Sequence, residues 1–322
     1  MRWRAVLAAI GLALLWTAAA AAQPFPSRPV KLVLTFAAGG AADLFARALA
    51  NGMGAELGQQ VFIEVHAGAG GLTGVDFAAK SPPDGYTICF AGASALAAMP
   101  FMYAKMPFDW QKDLALITRV LRVPEVIVVT PTLGVDTLPA FVAYARAHPG
   151  KVNFGSAGLG TITQLGAELL KEEAGIDIVH VPYRGVAPAM TDLLGGQIQM
   201  LVADLPFVLP QIKAGALKAL ALTSATRTPV LPDLPTTAEA GYPRVTSDNW
   251  YGLVAPGGTP PEAIERLNRA AVAALDGDAL KKQFETFNAV PAPTTPQQFA
   301  AFILAEQAKW GPVVLKTGVR LD

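Results

Sequence analysis

The chain has 322 residues, of which 52% are hydrophobic and 16% are charged. This composition is too apolar for a disordered protein, and its 30 glycines and 26 prolines exclude a fibrous helical one. The 25 basic residues balance the 25 acidic ones, so the chain lacks the positive excess that nucleic-acid binding needs. The length fits two domains or one large one. Cys89 is the single cysteine, which excludes a disulfide within the chain, and the three histidines argue against a metal site. We expect no cofactor.

The N-terminus has the pattern of a secretory signal peptide. Arg2 and Arg4 precede an apolar run at 5–22 that ends in small residues. This run approaches the length of a transmembrane anchor, but no basic stop-transfer segment follows it. We therefore predict a signal peptide at residues 1–22, cleaved near Ala22, and a periplasmic location for the mature protein.

Short β-rich runs alternate with helical patterns after Pro29, which is typical of an α/β protein with parallel strands. The strand and helix units after residue 150 repeat the layout of the first half, which indicates a second α/β unit. The proline-rich stretch at 226–243 fits a crossover between two lobes. In chain order the sequence predicts a strand at 30–36, a helix at 41–57, strands at 61–65, 86–90 and 125–130, a helix capped by Thr137 and ending near His148, a strand at 152–155, a helix at 161–174, a strand at 178–181, a helix at 186–194, a strand at 197–203, a helix at 206–214, strands at 217–223 and 251–254, and helices opened by Thr259-Pro260 and Thr295-Pro296.

Three glycine-rich turns, at 36–40, 68–71 and 155–161, each follow a predicted strand and lead into a helical pattern. Free backbone N–H groups at a helix N-terminus can hold a carboxylate or phosphate without a basic side chain. The glycines also have a simpler explanation, because they permit tight turns between strand and helix. The first and third turns lie in different halves of the chain, which favours a shared cleft beyond the carboxyl ends of the strands.

The nucleotide-binding motifs are incomplete. Thr73 stands where a dinucleotide fingerprint needs its third glycine. The segment at 155–160 has the glycine spacing of a phosphate-binding loop, but Thr161 and Ile162 replace its Lys and Ser/Thr. A nucleotide-dependent enzyme is therefore not expected.

Serines at two turns leave an alternative from another class of protein. The segment GASAL at 92–96 begins like the nucleophile elbow of a hydrolase, with Ser94 in the position of the nucleophile. Leu96, however, occupies the position of the second required glycine. An exported α/β hydrolase using Ser94 or Ser156 would need a histidine within hydrogen-bond reach of the serine.

Other polar residues at the turns each have two explanations. Asp204 ends a predicted strand, where it can line a cleft or cap the following helix. Asp43 lies in the first turn of a helix, where an acidic side chain stabilises the dipole. The hydroxyls of Ser156, Thr161 and Thr163 suit carboxylate recognition, although Thr161 also fits a helix N-cap.

Together these segments resemble the Bordetella uptake gene family of extracytoplasmic solute receptors, which are the binding proteins of tripartite tricarboxylate transporters. The match covers nearly the whole mature chain. Two departures are Ala37-Ala38, where the family often has proline, and Gln164, where it often has histidine. The resemblance rests on FAAGGAAD at 36–43, GAGGLTG at 68–74, PDGYT at 83–87, NFGSAGLG at 153–160, HVPYRG at 180–185, DLLGG at 192–196, LPDLPT at 231–236 and WYGLVAP at 250–256.

The resemblance implies an α/β, two-lobed type II periplasmic binding protein, each lobe a mostly parallel sheet flanked by helices, with a cleft between the lobes. Lobe 1 is expected at 23–123 plus 226–322 and lobe 2 at 124–225. The implied function is to capture a small carboxylated solute, namely a dicarboxylate, a tricarboxylate, an aromatic acid or an amino acid, without chemistry. The implied partners are the membrane permease subunits of such a transporter, or a sensory partner, and we expect a monomer. The ligand-binding residues implied are Phe36, Gly39, Gly40, Asp43, Ser94, Gly155, Ser156, Ala157, Gly160, Thr161, Thr163, Pro182, Tyr183 and Asp204.

Overall fold

The computed structural model describes residues 25–286 and 288–321, so the predicted signal peptide lies outside the described residues. Its strands are β1 (Val30–Leu34), β2 (Val61–Val65), β3 (Thr87–Gly92), β4 (Leu114–Val129), β5 (Val152–Ser156), β6 (Ile178–Pro182), β7 (Met200–Asp204), β8 (Lys218–Leu222), β9 (Asp248–Pro256) and β10 (Val290–Pro291). Its α-helices are α1 (Ala41–Leu57), α2 (Leu72–Ala79), α3 (Trp110–Asp113), α4 (Leu138–Ala147), α5 (Ile162–Ala174), α6 (Val186–Leu194), α7 (Leu205–Lys213), α8 (Pro261–Asp276), α9 (Asp278–Thr286) and α10 (Pro296–Thr317).

Local signals in the sequence set several helix ends. The Thr137 hydroxyl accepts a hydrogen bond from the Ala140 amide at 3.2 Å, which is the predicted N-cap of α4. α10 begins with a capping box between Thr295 and Gln298. α1 ends at Gly58, whose φ of 70° is the left-handed conformation that glycine adopts at little cost. These boundaries confirm the predicted helix starts and stops.

The long strand β4 joins two groups of strands. Its first part, up to Pro124, pairs antiparallel with β9, and its part from Glu125 pairs antiparallel with β7 and β8. The sequence predicted only the stretch at 125–130, and the assignment missed 114–124. Arg119, Arg122 and Pro124 interrupt the apolar run there, and the strand is held by its pairing with β9 rather than by its own pattern.

Each group contains three parallel strands, in the order β2-β1-β3 and β6-β5-β7. In the first group Leu32 of β1 pairs with Ile63 of β2 and Ile88 of β3. The sheets are therefore mixed rather than mostly parallel, because β4, β8, β9 and β10 add antiparallel pairs. A parallel strand that is followed by a helix places that helix's N-terminus at the carboxyl edge of the sheet.

Helices cover both faces of each group, which produces two lobes. In lobe 1, α1 and α8 pack on one face around Phe45 and Leu267, while α2 and α10 pack on the other around Val75 and Ile303. In lobe 2, α4 and α5 cover one face and α6 and α7 the other. Among the residues that the structure describes, no helix combines the length and apolar character that a membrane span requires.

The packing also bears on where the chain returns to lobe 1. Residues 226–245 contribute Val230, Leu231, Leu234 and Val245 to the lobe 2 cores, and the amide of Thr237 donates to the carbonyl of Leu222 at 2.7 Å. The sequence predicted that the chain returns from lobe 2 to lobe 1 at residue 226. We propose instead that lobe 2 extends to about residue 247 and that both crossovers, in β4 and just before β9, lie side by side.

Candidate functional site

A cleft lies between the lobes, at the carboxyl ends of the parallel strands of both. It encloses about 550 Å³ of space that protein atoms do not fill, part of it open to solvent. Among the described residues, Asp204 is the one acidic or basic side chain that lines the cleft. The lining residues are Phe36, Ala37, Gly40, Ala41, Ala42, Ser94, Ala157, Thr161, Ile162, Thr163, Gly185, Val186, Ala187, Asp204, Phe207, Asn249 and Tyr251.

The N-terminus of α1 forms one wall of the cleft. Gly40 is its N-cap, in an extended conformation and with no side chain to cap the helix. The amides of Ala41 and Ala42 have no acceptor among the described residues. Two backbone donors with the positive end of a 17-residue helix dipole behind them therefore line the cleft.

Three helices of lobe 2 also begin at the cleft. The first turn of α5 contributes Thr163, that of α6 contributes Val186 and Ala187, and that of α7 contributes Phe207. None of these four residues has an acceptor for its amide within residues 25–286 and 288–321. N-termini from both lobes therefore converge on one space, which makes the cleft electropositive without a basic side chain.

The α1 turn is braced from behind the cleft. The Asp43 carboxylate accepts a hydrogen bond from the Gly39 amide at 3.0 Å and pairs with Arg47 at 2.8 Å. Gly39 has a φ of 86°, in the left-handed region, and it does not line the cleft. In this structure both residues shape the turn that carries Gly40, and neither lines the cleft.

The turn at 155–161 is braced in the same way. The Ser156 hydroxyl bonds both the carbonyl and the amide of Gly158, at 3.0 and 3.1 Å. The Thr163 hydroxyl accepts from the amide of Ala157 at 3.0 Å. The Gln164 side chain accepts from the amide of Gly160 at 2.7 Å and so supports the loop.

The hydroxyl oxygen of Ser94, in a π-helical turn at Ser94–Ala98, links the two lobes. It accepts a hydrogen bond from the amide of Ile162, the first residue of α5, at 3.2 Å. Its own proton has no acceptor in the described structure and is free to face a bound solute. Ser94 therefore contacts lobe 2 directly while it lines the cleft.

Asp204, Asn249 and Tyr251 form a buried polar group on the cleft wall. One carboxylate oxygen of Asp204 accepts from Asn249 Nδ2 at 3.0 Å, and the other accepts from the Tyr251 hydroxyl at 3.0 Å. Asp204 occupies the N-cap position of α7 but makes no capping bond, so of its two predicted roles the structure favours the cleft. Burial raises its pKa to about 6, against the lowering effect of these two donors.

A second buried carboxyl group lies behind Asp204. Glu125, on β4, pairs in register with Asp204 on β7, and its side chain contacts the hydroxyl of Ser247. Burial, then the charge of Asp204, raises the pKa of Glu125 to about 8. Glu125 and Ser247 lie on the two segments proposed above as the crossovers.

Apart from Gly39 and Asp43, the predicted site residues separate into three sets. Gly155, Ser156 and Gly160 do not line the cleft and are closely packed: a Cβ at Gly155, for example, would lie 2.6 Å from Ile198 Cδ1. Pro182 and Tyr183 line a neighbouring depression beside Arg184. The residues that line the cleft are Phe36, Gly40, Ser94, Ala157, Thr161, Thr163 and Asp204.

Sequence reasoning missed most of the lining from α6, α7 and β9. The start of α6 carried a usable signal, since Gly185 follows a strand and opens a helix in the manner of the other turns. Asn249 and Tyr251 carried none, because they belong to a strand whose sequence neighbours lie far from the turns. Their role depends on the pairing of β9 with β3 and β4.

The hydrolase alternative is not supported, although one of its conditions is met. His180 Nε2 lies 2.6 Å from the Ser156 hydroxyl. However, Ser156 is fully buried, it does not line the cleft, and the Gly158 carbonyl competes for its single proton. His180 stacks on Phe154 and no carboxylate orients it in the described structure, unlike the base of a catalytic triad. For Ser94 no histidine contact is found in the described residues.

Known proteins match almost the whole chain. Residues 45–319 match the model of the tripartite tricarboxylate transporter family receptor. Protein BugT of Bordetella pertussis is 38% identical over 100% of both chains.

Two solved structures share the fold. An R. palustris protein solved with adipate is 34% identical, with a TM-score of 0.88 over 91% of this chain and 98% of its own. MatC from Rhodopseudomonas palustris with bound malate is 31% identical, with a TM-score of 0.85 over 90% of this chain and 100% of its own. The likeness confirms the predicted α/β, two-lobed fold class. The chain belongs to the tripartite tricarboxylate transporter family of receptors, which are periplasmic solute-binding proteins.

Proposed function

We propose that this receptor holds a small dicarboxylate in the cleft, with one carboxylate at the N-termini of α1 and the lobe 2 helices, and carries out no chemistry on it. The proposal rests on one observation: four helix N-termini with unbonded amides converge on the cleft. Among the described residues, no basic side chain lines this cleft. Phosphate would meet the same donors.

The chemistry of the lining favours a carboxylate over a neutral solute. The amides of Ala41, Ala42 and Thr163 would each be desolvated by a ligand that could not accept from them, at a cost of about 1–3 kcal/mol for each unsatisfied group. A carboxylate accepts several such bonds at once, and charge-assisted bonds are roughly twice as strong as neutral ones. The malate and adipate bound by the two relatives support the class of solute.

The site residues proposed for direct contact are those that line the cleft from both lobes. The donors from lobe 1 are the amides of Ala41 and Ala42 and the hydroxyl of Ser94, and the donor from lobe 2 is the amide of Thr163. The Asp204 carboxylate, also from lobe 2, is an acceptor beside them. Because the donors come from two lobes, a bound solute joins them, and closure about the paired crossovers excludes water from the contacts.

The family match supports a proposal for the location and the partner. We propose that the mature protein begins near Gln23, after cleavage of the signal peptide, and delivers its solute as a monomer to the permease subunits of a tripartite tricarboxylate transporter. A sensory membrane partner is the other candidate, and a deletion of the adjacent permease genes would separate uptake from sensing.

The test is a thermal-shift measurement on mature protein that has been unfolded and refolded to remove carried solute. Succinate, malate, glutarate and adipate are compared with their dimethyl esters and with phosphate. A solute at 100 times its Kd adds about 2.7 kcal/mol to the free energy of unfolding. We expect a higher Tm with at least one diacid and none with its ester. A rise with the ester or with phosphate alone would contradict the proposal.

A further inference from the structure

The cleft presents donors almost everywhere except at Asp204. The unbonded amides and the free proton of Ser94 can only donate to a solute. The hydroxyls of Thr161 and Thr163 bond to each other at 2.9 Å. The Asp204 carboxylate is therefore the one strong acceptor in the described lining.

The surrounding side chains fix the Asp204 carboxylate firmly. Asn249 Oδ1 accepts from the Trp250 amide at 3.0 Å, so its Nδ2 group must face Asp204. Nδ2 lies 3.0 and 3.3 Å from the two carboxylate oxygens, and the Tyr251 hydroxyl donates at 3.0 Å. A carboxylate offers roughly four lone-pair positions. These contacts leave about one of them open, and Asp204 lines the cleft although it is only 3% exposed.

This inference rests on the proposed function and narrows its solute. We propose that Asp204 accepts a hydrogen bond from a hydroxyl or ammonium group that the solute carries beside its carboxylate. The receptor then prefers hydroxy or amino diacids to unsubstituted diacids of the same length. An unsubstituted diacid leaves the buried acceptor facing a methylene group, and such a group costs free energy when no donor reaches it.

The charges around Asp204 are consistent with an ionised acceptor near neutral pH. Glu125 faces it from β4, and Asn249 and Tyr251 face it from β9, while Asp248 and Lys309 act on Glu125. The pKa of Glu125 is raised to about 8 and that of Asp204 to about 6, both chiefly by burial. The charge of Asp204 raises the pKa of Glu125, whereas the Asn249 and Tyr251 donors lower the pKa of Asp204, so a protonated Glu125 favours an ionised Asp204.

The test compares matched diacids by isothermal titration calorimetry at pH 7.5 on refolded protein. The probes are succinate, malate and aspartate, glutarate, 2-hydroxyglutarate and glutamate, and adipate, 2-hydroxyadipate and 2-aminoadipate. At the length that binds best, we expect the hydroxy or amino member to bind at least tenfold more tightly than the unsubstituted diacid. The hydroxy and amino members separate the two kinds of donor.

The variant Asp204→Asn keeps the shape of the side chain and removes its charge. We expect it to weaken binding of the substituted diacid and to leave or improve binding of the unsubstituted one, so that the ratio falls below about threefold. A purely structural role would weaken both equally. Should Asp204→Asn not fold, Tyr251→Phe removes one donor that orients the carboxylate and is expected to lower the same ratio. Ser224→Ala, in a loop that does not line the cleft, is the control that keeps the ratio.

The outcomes distinguish this inference from the proposed function. If unsubstituted and substituted diacids bind the wild-type protein equally, or if Asp204→Asn weakens both alike, the preference assigned to Asp204 is wrong and the dicarboxylate receptor stands. If no diacid of any length binds, the proposed function itself is wrong.

Discussion

Glu125 and Asp204 lie directly opposite each other on the antiparallel strands β4 and β7, both buried, with Asp204 on the cleft wall and Glu125 behind it. Two carboxyl groups this close cannot both ionise easily without a nearby cation. The pair lies beside the two proposed crossovers between the lobes. Its protonation therefore connects the stability of the fold with the charge of the solute site.

The first prediction concerns the pH dependence of stability. The pKa of Glu125 is raised from 4.5 to about 8 in the folded state, so the folded protein holds a proton there that the unfolded chain releases near pH 4.5. This group therefore lowers the free energy of unfolding as pH rises from about 4.5 to 8. We expect Glu125→Gln to remove that slope. The free energy of unfolding of the variant therefore rises relative to that of wild type across this pH interval. Urea unfolding at half-unit pH steps measures it, and parallel curves for the two proteins would refute the assignment.

The second prediction separates two adjacent glycines. Gly40 has a φ of −90°, and a Cβ there meets nothing closer than the Ala37 carbonyl at 3.8 Å. We expect Gly40→Leu to fold normally and to weaken diacid binding by about tenfold or more, because the side chain blocks the amides of α1. Gly39→Ala is the matched control. Alanine is disfavoured at the φ of 86° that Gly39 adopts, so we expect this variant to be about 1 kcal/mol less stable but to keep its affinity for the diacid. Calorimetry and urea unfolding of both variants check this, and equal losses of affinity would contradict it.

The third prediction tests the contact between the lobes at Ser94. Ser94→Ala removes the acceptor of the Ile162 amide and a hydroxyl proton from the cleft. A hydrogen bond of this kind is worth about 1 kcal/mol, so we expect diacid binding to weaken about fivefold. Ser224→Ala is the control, since Ser224 donates to the Thr226 carbonyl within its own loop. Calorimetric affinities indistinguishable from wild type for Ser94→Ala would show that the contact does not assist binding.

The fourth prediction concerns Ser156 and His180. Burial lowers the pKa of His180 to about 4, so the ring is neutral at pH 7. We expect the pair to brace the turn at 155–161 and to be inert: wild-type protein hydrolyses p-nitrophenyl acetate no faster than Ser156→Ala. The variant loses about 1–3 kcal/mol of stability, because the Gly158 amide loses its partner. Covalent labelling of Ser156 by a fluorophosphonate would overturn this prediction.

Much of the local structure was determined by the sequence alone. Gly40 and Gly58 bound α1, Thr137 caps α4, and the glycine turns lead into helices as predicted, because these features depend on conformations and hydrogen bonds within a few residues. The predicted export signal and the incomplete nucleotide motifs are likewise local patterns. The expectation of a cleft fed by helix N-termini followed from the order of strands, turns and helices.

Only the tertiary structure decided which residues face the solute. Gly39 and Gly40 are neighbours of the same type, yet only Gly40 lines the cleft, because Asp43 holds the Gly39 amide on the other side. Asn249 and Tyr251 reach Asp204 across more than forty residues of chain, through the pairing of β9 with β4 and of β4 with β7. Such contacts depend on strand pairing and burial across the whole fold, and no local pattern encodes them.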